Sequence, residues 1–70
     1  MRGWGTELRE RRLRAHKTLG ELARHMGYTL TYLSDVERNT QPPPNEMQIR
    51  KMCAFLGIDP LALLTAAKGA

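Results

Sequence analysis

Apolar residues recur along this 70-residue chain at steps of three and four, and no stretch sustains the alternation of a strand. That period is helical and predicts an all-α fold. Caps and breakers divide it into five helices, at about 6–16, 18–26, 29–38, 45–56 and 60–67. In the first, Trp4, Leu8, Arg12 and Ala15 fall on one face, with Leu13 on the flank. An arginine on an apolar face calls for a partner. The second opens on a Thr18–Glu21 capping box, carries Leu19, Leu22, Ala23 and Met26 as its buried stripe, and stops at Gly27. Thr29 caps the third, which turns Leu33 and Val36 inward with Tyr32 beside them. Leu30, Thr31, Ser34, Asp35 and Arg38 then share the opposite face. Asn39 suits the left-handed residue that ends a helix, and Pro42, Pro43 and Pro44 bar its continuation.

Asn45 caps the fourth helix with Gln48 as its capping-box partner, and Ile49, Met52, Cys53 and Leu56 form its apolar stripe before Gly57. Asp59–Pro60 opens the fifth as N-cap and first helical residue. There Leu61 and Leu64 share a face, while Leu63 points elsewhere and is left for a dimer contact. Lys68, Gly69 and Ala70 are expected to fray.

Composition narrows the function. The single cysteine, Cys53, excludes a disulfide framework within the monomer and a thiolate zinc site. No apolar run approaches a membrane span, and MRGWGTELRERR lacks the apolar core of a signal peptide, so the expectation is a cytoplasmic protein. His16, His25 and Cys53 are the obvious bases or nucleophiles, in no catalytic or metal-binding spacing, so we expect no enzyme, cofactor or metal. Net charge sharpens the picture more. Arg2, Arg9, Arg11, Arg12, Arg14 and Lys17 face only Glu7 and Glu10 within the first seventeen residues, an excess equal to the whole net charge of +4. Such a stripe fits either a phosphate binder or a solvated helix face.

Two helices joined by a short glycine turn form the helix-turn-helix unit, whose second helix must protrude into a major groove while the first lies across the backbone. TLGELARHMGYTLTYLSDVERN supplies cap, apolar pair, close-packing alanine, glycine turn, second cap and exit in that order. With ELA, YLS, the following glutamate and the closing LGIDP, residues 8–60 resemble the Cro/repressor helix-turn-helix family, also called the xenobiotic-response-element type.

The resemblance implies a compact, lambda-repressor-like five-helix DNA-binding domain with its helix-turn-helix at helices two and three. It implies a transcriptional regulator, an autorepressor acting as a homodimer on an inverted repeat, with no small-molecule ligand. By matched position, Leu30, Thr31, Ser34 and Asp35 would reach base edges, and Thr18, Leu19, Thr29, Tyr32, Arg38, Asn39, Thr40 and Gln41 would touch the phosphate backbone. Arg12 and Glu37 would form a buried ion pair, and Leu61, Leu63 and Leu64 the dimer contact. Leu19 replaces the frequent glutamine that grips a phosphate, Asn39 the usual glycine, and the following loop is poor in charge.

Leucine and the threonine methyl suit the thymine methyl group, the hydroxyls suit either member of a pair, and Asp35 either accepts from cytosine N4 or folds back onto Arg38. The rival to DNA binding is a protein-interaction module, or an antitoxin-type partner, on the same scaffold. The acid on the reading face favours it; the basic first helix and the intact caps oppose it.

Overall fold

A computed structural model describes the backbone of residues 3–69 and the side chains of residues 3–65. Its elements are α1 (Trp4–Arg14), α2 (Leu19–Met26), α3 (Leu30–Glu37), α4 (Glu46–Leu56) and α5 (Pro60–Gly69). α1 packs on α3 and α5, α2 on α3 and α4, and α4 on α5. Each helix contributes to one core, in which Leu8, Leu22, Leu33, Met52 and Leu63 are fully enclosed. The α4 stripe of Ile49, Met52, Cys53 and Leu56 is buried as its spacing predicts, whereas Leu19 and Met26 of α2 are only half-buried.

α1 begins two residues before its expected start, and the reason is remote in sequence. Gly3 occupies the N-cap position and has no side chain to offer. Asn39, beyond the end of α3, supplies the cap instead: its Oδ1 accepts from the Gly5 amide at 2.8 Å, and its Nδ2 donates to Thr6 Oγ1 at 3.1 Å. Trp4 is buried as a plug, and its indole N–H donates to the Leu63 carbonyl at 2.9 Å. The other end of α1 stops at Arg14 rather than His16, because His16 turns the chain in the left-handed conformation at φ 58°. Arg12 fastens that turn by donating to the Lys17 carbonyl at 2.8 Å.

Two expectations for the later helices are corrected. Leu63 is not free for a dimer contact: α5 lies between α1 and α4, which encloses Leu63 completely and Leu64 almost so, and leaves Leu61 as the exposed leucine. The α4 capping box is half made. Asn45 Oδ1 accepts from the Gln48 amide, but the Gln48 side chain accepts from the Tyr28 hydroxyl instead of reaching back. Asp59 caps α5 as expected, accepting from the Leu61 amide. The helix runs on through Lys68 and Gly69, past the expected fraying point, and Ala70 lies outside the described residues, as does Arg2.

Candidate nucleic-acid interface

The site is built on two adjoining capped helices. At α2, Thr18 Oγ1 accepts from the Glu21 amide at 3.0 Å, and the Thr18 amide donates to Glu21 Oε1 at 2.8 Å. Bonds from the Thr18 amide and then from its hydroxyl hold the pKa of the Glu21 carboxyl below its ordinary range. The capping box takes the Glu21 amide out of play, so the first-turn donors left for an anion are those of Leu19 and Gly20, which a helix cannot pair internally. At α3, Thr29 Oγ1 accepts from the Tyr32 amide at 3.1 Å. A hydroxyl that accepts a backbone bond keeps its own proton, so Thr29 retains a donor for a phosphate oxygen, whereas the Thr18 hydroxyl gives its proton to the Glu21 carboxyl.

The turn between the helices fixes their relation. Gly27 adopts φ 75°, a conformation that side-chain-bearing residues resist, while the Tyr28 amide returns to the Ala23 carbonyl at 2.9 Å. Tyr28 stacks edge-on against Tyr32, with ring centres 4.9 Å apart, and its hydroxyl donates to Gln48 on α4. Burial pushes the Tyr28 phenol up to about 12, so it remains a proton donor throughout the physiological range. The entry to α3 is thereby anchored to α4.

Along the outward face of α3, Leu30 and Thr31 are exposed, and Ser34 and Asp35 are half-buried. Asp35 Oδ1 pairs with Arg38 Nη2 at 3.0 Å, so in the free protein the carboxylate is turned along the helix to the guanidinium. The Thr40 amide and hydroxyl both donate to the Asp35 carbonyl, at 2.9 and 3.0 Å. That spends the Thr40 proton, and its hydroxyl must rotate away before it can donate to a phosphate. Asn39, expected at the DNA backbone, directs its side chain inward to α1. Gln41 is exposed at the loop and Tyr32 half-buried.

The basic stripe is thinner than the sequence suggests. Arg12 is buried against Glu37, and Arg11 lies 3.4 Å from Glu7 on the same helix. Lys17 sets its ammonium 4.9 Å from the centre of the Phe55 ring, and His25 stacks on that same ring at 4.3 Å. Arg9 and Arg14 remain exposed. Cys53 is enclosed in the core, where burial pushes its thiol up and away from the reactive thiolate.

Asn39 is the interface residue whose role local reasoning missed. Its left-handed backbone, φ 66°, was legible from the helix exit; the side-chain bonds to Gly5 and Thr6, more than thirty positions away, were not. Asn39→Gly keeps the backbone conformation and removes the cap, and should cost about 0.5–2 kcal/mol. Asn39→Ala loses both, and should cost roughly 1 kcal/mol more. Urea unfolding of the two variants checks this order; a glycine variant as stable as the parent would show that the amide contributes nothing at the α1–α3 junction.

A family model described as a helix-turn-helix domain matches residues 5–66. The chain belongs to that family. No individual curated protein matches it. The helix-turn-helix is α2, the Gly27 turn and α3, and the match extends beyond that unit to the supporting helices α1, α4 and α5. The domain is of the Cro/repressor type, and its general role is DNA binding in transcriptional regulation. Among the described residues no helix is long and apolar enough to cross a membrane.

Proposed function

We propose that this domain is a sequence-specific transcriptional regulator that binds an inverted repeat as a homodimer, with α3 in the major groove, and represses its own operon by covering the promoter. The observation that carries the reading is the outward face of α3. Leu30 and Thr31 stand exposed at its first turn, beside the first-turn amides of α2 and the Thr29 hydroxyl, which keeps its proton. Groove-reading and backbone-holding groups therefore lie at one end of one rigid pair of helices. Base contacts are assigned to Leu30, Thr31 and Ser34, and backbone contacts to Thr18, Leu19, Thr29, Arg38 and Gln41. In the dimer two copies of α3 would enter successive major grooves about 34 Å apart. Leu61, 64% exposed on α5, is available to that contact.

The pairing of Arg12, Arg11 and Arg38 with carboxylates leaves less free positive charge than is usual for a DNA binder, and this favours the protein-interaction reading. Salt separates the two. Anisotropy of a labelled duplex against ionic strength should give a log–log slope of about −0.9 for each phosphate neutralised, and Arg38→Ala should flatten it by roughly one such increment. A slope near zero would leave the protein-interaction module standing in its place.

A further inference from the structure

We infer that Leu30 is a specificity-determining residue that reads the C5-methyl group of a pyrimidine, carried by thymine or by 5-methylcytosine. This rests on the DNA-binding reading above. Leu30 is the first residue of α3 and is 56% exposed, the one large apolar side chain on an otherwise polar face. It is also supported from behind. A Cβ on Gly20 would lie 3.9 Å from Leu30 Cδ2, at ordinary contact distance, so the leucine extends over the first turn of α2. An apolar tip is thus held between the starts of both helices, with its outer half open.

Leu30 is the largest apolar group on this face. Thr31 and Ser34 carry hydroxyls, which donate or accept and so suit either member of a base pair, and the Thr31 methyl offers a smaller apolar contact beside it. Asp35, the acceptor that could select cytosine N4, is turned along the helix to Arg38 in the free protein, and Arg38 is assigned to the DNA backbone rather than to a guanine. On the major-groove edges of the four bases, the apolar group is the C5-methyl of thymine, and 5-methylcytosine carries the same group at the same place. Recognition should therefore follow the methyl rather than the hydrogen-bonding edge beneath it.

The DNA can be altered without touching the protein. A site is first obtained by selection from a random duplex pool, and each thymine is then replaced in turn by deoxyuridine, which removes the methyl alone. One position per half-site should weaken binding by about fourfold, and the symmetric pair by about sixteenfold, the equivalent of one buried carbon at each. A cytosine–guanine pair placed there should regain the same factor when the cytosine is methylated at C5. Leu30→Ala, whose shorter side chain ends before the methyl, should bind the duplexes altered at that position alike, with little change in melting temperature and salt slope. Uridine without effect at every position, or a Leu30→Ala protein that still distinguishes it, would overturn the inference while the salt slope kept the DNA-binding reading intact. A cost for uridine without a gain from 5-methylcytosine keeps the thymine contact and overturns its extension. A vanished salt slope would instead mark failure of the parent reading.

Discussion

Gly5→Ala should lower the melting temperature by roughly 10–20 °C or abolish cooperative folding, the largest effect expected of any single methyl group in this domain. α1 crosses α3 at Gly5. A Cβ there would meet the Val36 carbonyl oxygen and come within 2.9 Å of the Glu37 Cα and carbonyl carbon. These are backbone atoms of a helix, not the far end of a flexible side chain, so relief requires α1 and α3 to separate. Separation would also pull the Gly5 amide from Asn39 and Trp4 from Leu63. Overpacking typically costs about 1–3 kcal/mol and occasionally more, against a net stability of about 3–5 kcal/mol for a domain of this size. Gly20→Ala is the internal control. Its methyl meets nothing closer than 3.9 Å, and removing glycine from the first turn of α2 should stabilise by up to about 1 kcal/mol. The same substitution thus has opposite signs at two sites, and thermal melts of equal midpoint would refute the close-approach account.

The number and sequence placement of the helices were legible because local signals agree with one another. The Thr18–Glu21 box, the Thr29 cap, the Gly27 turn and the Ile49–Leu56 stripe each depend on residues within one or two helical turns. What escaped depends on partners far along the chain. Gly5 lies before the expected start of the first helix and gives no local signal until α3 lies against it, Asn39 reads as a helix exit until α1 needs its side-chain oxygen, and Leu63 reads as spare until α1 and α4 enclose it. Gln48 illustrates the competition: its position fits a capping box, but Tyr28 claims its side chain. The candidate interface divides in the same way. Periodicity identified the outward face of α3, but not that Asp35 would turn to Arg38, because fold-back and base contact satisfy the same spacing.

Arg12→Ala should destabilise by about 3–5 kcal/mol, enough to unfold much of the population, while Arg11→Ala should cost only about 0.2–0.5 kcal/mol. Adjacent arginines on one helix differ this much because of what surrounds them. Arg12 is 7% exposed and holds Glu37 through two bonds, Nε to Oε2 at 2.8 Å and Nη2 to Oε1 at 3.0 Å, while Nη1 reaches the Lys17 carbonyl. Truncating it strands a buried carboxylate and releases the turn between α1 and α2. Arg11 is 31% exposed and lies 3.4 Å from Glu7 one helical turn away, a same-helix contact of small worth. Arg12→Lys keeps the charge but cannot reproduce the planar fork, so it should fall between the two. Replacing Arg12 and Glu37 together by methionine and leucine should recover most of the loss, because the cost lies in the unpaired charge rather than in absence of the pair. Matching urea midpoints for Arg12→Ala and Arg11→Ala would remove the buried pair from the account. A double variant no more stable than Arg12→Ala would instead move the cost to the Lys17 turn. Of all the outcomes, recovery in the double variant would say most about the interface. It would show that the basic first helix spends Arg12 on holding α3 in place, leaving Arg9 and Arg14 as its exposed arginines.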